Sequence, residues 1–374
     1  MDSNHKEIKL FYTSFSIYNF ATSMVQIFIP LYFFSRGFSL SQILIFFAIS
    51  QAGRALFLPL GAHLSSAFGA KKIISVSFIL TTLFYIFLSR VEDFSSMFYL
   101  SAIIFGAIQA LLWLPFLIHL SKISPNEKKG RIFSKLNMYS AVANASGPIL
   151  GGFIISFYGF EYVFYLVIGI VLFAIYFLSL TPEVSKIRKV NFKLINIKKV
   201  YPDLIANGAF NFQVYLANTL WPIFIFLILP QYNTIGFIQT VSVFLSLIAL
   251  HYSGKWTDKF NRKKVLFFGS ILNSSMEFLR IFANSFSSIF FFNASSIFSG
   301  TLQGVSWNVK LQEHMEKEPR IEYTTIFEIG GALITFIGLL IFMFAIQSVP
   351  LKDALIYGII ISSISGLFVN LIRE

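Results

Sequence analysis

Apolar stretches of roughly 17 to 25 residues alternate with short polar segments along the whole chain. Each stretch is long enough for one helix to cross the hydrocarbon core of a bilayer, which takes about 20 residues. The pattern predicts an all-α membrane protein with twelve transmembrane helices. The predicted spans are 10–34, 41–62, 73–89, 97–118, 136–157, 162–180, 204–228, 233–252, 265–281, 287–309, 325–347 and 354–372.

Composition supports a lipid-embedded chain. The 374 residues are 56% hydrophobic and 12% charged, and the mean hydropathy is +0.73, which is more apolar surface than one soluble core buries. The chain has no cysteine, so a disulfide framework and a cysteine-based metal site are both excluded. The net charge of +12 lies in short runs between apolar stretches, which does not favour a nucleic-acid surface.

The basic residues divide unequally between the two sides of the predicted membrane. Of the 29 Lys and Arg residues, 24 fall on the side of the chain ends, 4 fall on the other side, and Arg54 lies inside a span. Cytoplasmic loops are the ones enriched in Lys and Arg. We therefore expect a multi-pass protein of the cell membrane with both termini in the cytoplasm.

The chain repeats itself at about half its length. Three features of the first half recur 192 to 194 residues later, as expected for duplicated halves. The pairs are Pro30 with Pro222, Gly61 with Gly254, and Gln109 and Trp113 with Gln303 and Trp307. The longest polar connection lies between the halves. We predict a six-helix bundle over 1–181, a cytoplasmic linker over 182–203 and a second six-helix bundle over 204–374.

A motif follows the eighth predicted span, GKWTDKFNRKK at 254–264. It resembles the signature loop of the major facilitator superfamily, a glycine followed four residues later by Asp and then by a basic cluster. The matching positions are Gly254, Asp258, Lys259, Arg262, Lys263 and Lys264. The resemblance implies twelve helices in two pseudo-symmetric bundles and a secondary transport activity. The equivalent loop of the first half departs from the motif, because Ser65 stands where the family has Asp.

The resemblance also implies a latch on the cytoplasmic side. In it, Gly254 permits close helix approach, Asp258 meets Arg131, Lys135 or the amino end of the fifth span, and Arg262 belongs to the basic cluster. GPILGG at 147–152 is similar to an element of many exporter-type members. A pure packing role for it and an antiport-specific role both stay open.

In this family the first, fourth, seventh and tenth helices line the central cavity, which implies a set of substrate-binding candidates. These are Asn19, Gln26, Gln109, Trp113, Asn211, Tyr215, Asn218, Gln303 and Trp307. Asn211, Tyr215 and Asn218 share one helical face, where amides and a phenol can bond a polar group. The alternative is that such residues only join helices by hydrogen bonds.

Two charges lie within predicted spans on the cytoplasmic side. Arg54 is in the second span and Glu328 begins the eleventh, at compatible depths. An unpaired charge there costs several kcal/mol. We predict an ion pair across the seam that closes the cytoplasmic side when the cavity faces outward. The alternatives are that Arg54 binds an anionic substrate, or that its side chain extends to the lipid headgroups. Nearer the outer surface, Glu277 and Arg280 are expected to satisfy each other.

The function predicted from these residues is movement of a small organic molecule by alternating access. Export of an amphipathic or apolar compound is preferred, because the candidates are aromatic and amide-rich without a charge array for anionic nutrients. Uptake of a neutral solute such as a sugar, and a non-transporting membrane scaffold or receptor, stay open. No catalytic triad, metal-ligand spacing or phosphate loop is found, so we expect no enzyme, metal or cofactor. The expected partners are the substrate, the bilayer and, where transport is coupled, an ion, with the protein a monomer.

Overall fold

The computed structural model describes residues 2–93, 95–123, 129–181, 190–259 and 261–373, without the side chains of 2–8, 117–118, 120–123, 129–139 and 254–259. Within these ranges the chain forms thirteen α-helices and no strand, which confirms the predicted all-α class. The helices are α1 Asp2–Gln26, α2 Ile29–Ser35, α3 Leu40–Phe68, α4 Ala70–Leu88, α5 Ser96–Ile123, α6 Lys129–Tyr158, α7 Phe160–Ser179, α8 Ile197–Ile228, α9 Tyr232–Lys259, α10 Arg262–Leu279, α11 Phe286–Lys317, α12 Arg320–Ala345 and α13 Leu351–Ser365.

The first span is broken in two. α1 and α2 together make the apolar segment Lys9–Ser35, with a turn at Ile27 and Phe28 between them. Pro30 lies in the first turn of α2, where its missing N–H removes no hydrogen bond within the helix. Each later helix is one span, so the described residues contain the twelve predicted spans.

Eleven of these spans are long and apolar enough to cross a membrane on length and hydropathy alone, and α11 is the exception. α11 has 32 residues but carries several serines and amides. Asn293 of α11 accepts a hydrogen bond from Trp221 Nε1 at 2.8 Å, and Gln303 accepts one from Asn273 Nδ2 at 2.7 Å. Amides inside a membrane need such partners, which explains why a polar helix packs among its neighbours.

The helices of the first half, α1–α7, and those of the second half, α8–α13, meet mainly along two seams. α3 packs on α12 along one seam and α6 packs on α9 along the other. The stretch expected to be a linker differs from the prediction, because α8 begins at Ile197 and residues 197–203 are helical. The division into bundles over 1–181 and 204–374 stays a prediction.

Asp203 explains the early start of α8. Its side chain is fully buried and accepts hydrogen bonds from Tyr323 Oη at 2.8 Å and from Arg373 Nε at 2.7 Å. A buried carboxylate needs such donors. Burial acts to lower the pKa of Arg373, but the hydrogen bond to Asp203 and the charge of Asp203 outweigh burial and raise that pKa above its ordinary value. The end of the chain is thereby fastened to the start of the second half.

The two ends of the helix bundle differ in charge and in closure. We call one of them the basic end, which is where α3 finishes and α8 begins and which carries Lys71, Lys199, Arg262 and Arg373. The other is called the opposite end. Towards the opposite end α6 and α9 touch directly, with Asn233 N donating to Ser156 Oγ and Ile149 N donating to Thr240 Oγ1, both at 3.0 Å. The seam between α6 and α9 is therefore shut towards that end.

One glycine makes the contact between α6 and α9 possible. A Cβ atom on Gly236 of α9 would collide with the carbonyl oxygen of Pro148, in the GPILGG element of α6. Small residues allow two helices to approach this closely. The element thus has a packing role between the halves in this structure.

Candidate functional site: a cavity between the two halves

A cavity of about 230 Å³ lies between the halves on the side of the basic end. Five helices contribute to it, namely α3 and α5 from the first half and α8, α11 and α12 from the second. Its wall consists of Arg54, Trp113, Asn207, Phe210, Asn211, Trp307, Asn308, Leu311 and Glu328. Because both halves supply side chains, relative movement of the halves would change the site.

Aromatic rings form two sides of the cavity. Trp113 of α5 is 45% exposed, and its ring stacks on Phe116 with centroids 5.5 Å apart. Trp307 of α11 is held more firmly, because it is only 3% exposed and stacks on Phe210 at 5.3 Å. Trp307 also stacks on Phe327 at 5.9 Å, so neighbouring rings cover most of it, and Trp113 is the tryptophan of this wall with exposed surface for an apolar group of a ligand.

Amide side chains of α8 form another part of the wall. Asn207 Nδ2 donates to the carbonyl oxygen of Phe327 at 2.8 Å, which ties α8 to α12. Asn211, one turn further along, donates from Nδ2 to Asn207 Oδ1 at 3.0 Å. Asn308 of α11 is exposed in the cavity. The cavity therefore offers hydrogen-bonding groups between its aromatic sides.

Arg54 of α3 and Glu328 of α12 form an ion pair at the cavity wall, through Arg54 Nη2 and Glu328 Oε2. Their side chains are only 11% and 10% exposed, so water weakens the attraction little. Two buried charges of opposite sign leave the wall without net charge.

The ion pair was predicted to close the cytoplasmic side when the cavity faces outward, and that link to one transport state stays a prediction. In this structure the pair exists while the seam of α6 and α9 is shut towards the opposite end. It lies where α3 and α12 pack on each other. Its role as a gate stays a prediction.

The halves also touch through a hydrogen bond between two residues that each lie one helical turn from a wall residue, Asn211 or Trp113. Tyr215 Oη of α8 donates to Gln109 Oε1 of α5. The structure thus brings together one predicted residue of each half. Gln109 reaches this position because Gly106, one turn earlier, lets α5 approach the backbone of α3 at Ser50 and Arg54, where a Cβ would collide.

Other substrate-binding candidates lie away from this cavity as the structure describes it. Asn19 is half-buried, Gln26 and Asn218 are exposed, and none of the three contributes to its wall. Gln303 is 1% exposed and lies inside the second half, because its Nε2 donates to Gln213 Oε1 at 3.2 Å. The structure therefore places Gln303 among helix-joining residues instead of on the cavity wall.

Only part of the predicted latch can be compared with the structure. The side chains of Asp258 and Arg131 and the surroundings of Gly254 lie outside the described residues. Arg262 forms an ion pair with Glu313 of α11, and Lys310 Nζ approaches the other oxygen of that carboxylate at 2.9 Å. Both contacts lie within the second half, and whether Arg262 also meets residues 129–139 lies outside the described side chains.

Glu277 and Arg280 attract each other, and each also has other partners. The carboxylate of Glu277 accepts hydrogen bonds from Gln213 Nε2 and Ser362 Oγ, each at 3.0 Å. The guanidinium of Arg280 lies over the Trp221 ring, 4.7 Å from its centroid. Both are buried, so each uses the nearest group able to replace water.

Three polar residues at or beside the cavity, Asn207, Gln51 and Asn308, were missed in the sequence, and so were the apolar lining residues Phe210 and Leu311. Asn207 precedes Asn211 by one helical turn, and Gln51 precedes Arg54 by one turn. Residues one turn apart share a helix face, so a search one turn before each predicted residue would have identified both. Asn308 directly follows a predicted cavity residue, Trp307. No pattern in the sequence separates it from other polar residues near a helix end.

Comparison with known proteins agrees with this architecture. A family model described as Major Facilitator Superfamily matches residues 11–232, which is more than half of the chain. No curated protein matches this chain. Among solved structures, a D-xylose-proton symporter aligns with a TM-score of 0.77 and 13% identity over 99% of this chain and 97% of its own. A bacterial homolog of the human lysosomal transporter Spinster, inward-facing and unoccupied, aligns with 0.68 and 13% identity over 99% and 95%. At such identity the likeness concerns the fold.

Proposed function

Because the chain belongs to the Major Facilitator Superfamily, a superfamily of secondary transporters, we propose that it exports a small amphipathic molecule by alternating access. The observation that carries the proposal is the cavity between the halves. It combines two tryptophans with asparagines and an ion pair of no net charge. Such a wall binds a molecule that has an apolar body and polar groups.

The arrangement of the halves supports alternating access. Helices of both halves enclose the cavity near the basic end, while α6 and α9 are in direct contact towards the opposite end. We propose that the basic end faces the cytoplasm, since Lys and Arg mark cytoplasmic loops. In that orientation the structure is inward-facing, and a cargo enters from the cytoplasm and leaves after the opposite end opens.

Flux through reconstituted protein tests the function. Compounds that raise the melting temperature of the purified protein in a metabolite and drug screen are candidate cargoes, because a ligand of the native state stabilises it. Each is then tested as a radiolabelled compound for counterflow in proteoliposomes. We expect at least one amphipathic compound to exchange. Binding without any flux would favour a scaffold or receptor and contradict the proposal.

Matched variants connect flux to the cavity. Asn308→Trp places a large ring in a cavity of about 230 Å³ and should abolish counterflow. Asn196→Trp introduces the same ring at an exposed residue before α8 and should leave counterflow unchanged. Direction is read in intact cells, where an exporter lowers the accumulation of the labelled compound and an importer raises it. Raised accumulation of a neutral solute would favour uptake instead.

A further inference from the structure

A second cavity, of about 520 Å³, lies at the basic end between α10, α11 and the last residues of the chain. It is separate from the cavity between the halves, since the two share no lining residue. Among its described lining residues, four are basic and one is acidic, namely Arg262, Lys263, Lys264 and Lys310 with Glu313. The described lining therefore carries an excess of three positive charges.

The carboxylate of this cavity is shared between two cations. Glu313 Oε1 binds Arg262 Nη1, and Glu313 Oε2 accepts a hydrogen bond from Lys310 Nζ at 2.9 Å. One negative charge thus faces two positive charges at close range. Lys310 is only 8% exposed, so water screens its charge little. A positive excess beside a buried cation favours an anion in the cavity.

The first turn of α10 adds to this preference. Asn261 Oδ1 accepts hydrogen bonds from the backbone N–H groups of Lys263 at 3.0 Å and Lys264 at 3.2 Å, and this cap starts the helix at Arg262. Three consecutive cations therefore occupy a first helical turn. The amino end of a helix is the positive end of its dipole, so cations are unfavourable there and an anion is favourable. A bound anion would relieve this repulsion.

Apolar side chains continue from the cavity along the protein surface. Phe267 lines the cavity, Ile271 follows it one turn later on α10, and both are exposed. On the chain end, Asn370 lines the cavity and donates from Nδ2 to Ser270 Oγ at 2.7 Å, and the next residue, Leu371, is exposed. Exposed apolar residues of a membrane-spanning helix contact lipid chains. An anion bound in the cavity can therefore carry apolar chains.

We infer that this cavity binds the phosphate group of an acidic phospholipid from the membrane leaflet at the basic end. Arg262 and Lys264, at the exposed rim, donate hydrogen bonds to the phosphate oxygens, and Lys310 attracts the phosphate from below. The acyl chains pack along Phe267 and Ile271. A zwitterionic headgroup brings its own cation into the basic cavity and binds less well. The site is independent of the proposed function, because the lipid is not the cargo.

Lipids of different headgroup test the preference. The purified protein is titrated in detergent with phosphatidylglycerol or with phosphatidylcholine, and native mass spectrometry gives the dissociation constant of the first bound lipid. We expect phosphatidylglycerol to bind at least about tenfold more tightly, and to raise the melting temperature more at equal concentration. Equal affinity for the two lipids overturns the inference.

Matched charge removals locate the site. Arg262→Gln together with Lys264→Gln removes the rim donors, and we expect the affinity for the first phosphatidylglycerol to fall about tenfold. Lys72→Gln together with Lys198→Gln removes the same charge from exposed positions of the basic end outside the cavity, and should change that affinity by less than about twofold. If the first pair does not fold, Lys264→Gln alone should weaken binding about threefold. Equal losses in the site and control variants would indicate general attraction to the basic end and overturn the site.

Soluble phosphates distinguish the source of the phosphate group. Inorganic phosphate and glycerol 3-phosphate are each added to the protein with phosphatidylglycerol bound, at a concentration equal to that of the lipid. We expect neither to displace the lipid, because both lack chains that pack on Phe267 and Ile271. Displacement by either would show that the cavity takes a free phosphate compound and would overturn the lipid assignment.

Discussion

At the scale of residues, the buried charges described above have specific neighbours. Arg54 is bound to Glu328, and Glu277 is bound to an amide and a hydroxyl. In a membrane interior an ionised group must find such a partner or stay in contact with water. The partner on another helix then determines which helices stay together, and for Arg54 and Glu328 these are α3 and α12.

The ion pair gives a prediction about stability. Arg54→Glu and Glu328→Arg each place two like charges where α3 meets α12, so each should lower the stability by about 3–5 kcal/mol, as when a buried pair is broken. The double variant restores opposite charges and should recover part of the loss. Thermal unfolding of the four proteins in one detergent measures this coupling.

Lys352→Glu, an exposed change of charge, is the control for these reversals. Losses that simply add in the double variant would show that the two residues do not interact. The measurement uses no ligand, so its result does not depend on which cargo binds near Arg54.

At the scale of elements, α6 and α9 act as a closure. Their approach requires a glycine at position 236, because any side chain there meets the backbone of Pro148. The neighbouring bond from Ile149 N to Thr240 Oγ1 depends on the same short distance. Opening of the seam towards the opposite end must therefore separate these two helices.

Gly236→Ala should shift the protein towards the arrangement open at the opposite end, because the added methyl group prevents α6 and α9 from closing. The chain has no cysteine, so Thr240→Cys introduces a single reporter in this seam, at a residue only 7% exposed. We expect its labelling by a membrane-impermeant maleimide to rise several-fold when Gly236→Ala is added.

Gly169→Ala is the matched control, since a Cβ there meets no atom within 4 Å. It also replaces glycine by alanine inside a helix, and should leave the labelling of Thr240→Cys unchanged. Identical labelling in the Gly236→Ala protein would mean that the seam of α6 and α9 is not a closure.

At the scale of the whole molecule, the two halves share one cavity while each keeps its own polar interior. Gln109 and Gln303 occupy equivalent positions in the repeat, yet only Gln109 reaches the boundary between the halves. The second half instead uses Gln303 to join α8, α10 and α11. Duplicated positions thus perform different tasks in the two halves.

The charge distribution of the whole molecule gives a topological prediction. With 24 basic residues on the side of the termini and 4 on the other, both residue 1 and residue 374 should lie in the cytoplasm. Reporter fusions active on only one side of the membrane, placed at each end, determine this. A reporter that is active outside the cell at residue 374 would refute the even number of spans.

The sequence by itself determined the all-helical class and the location of the twelve spans, because crossing a bilayer demands about 20 apolar residues in a row and this requirement is local. The local pattern also revealed Arg54 and Glu328, since an ionisable residue in a span is conspicuous wherever it lies. The repeat predicts two halves, and the predicted boundary at residue 203 lies inside α8.

Which polar residues meet depends on the tertiary structure. Gln303 is buried in its own half, Asn218 does not line the cavity, and Asn207 lies on its wall, although all three are equally plain amides in the sequence. The face that an amide presents depends on how each helix is rotated and on which neighbour approaches it, as Gly106 allows for α3 and α5. Rotation and approach result from packing between distant segments, which helical periodicity in one segment does not contain.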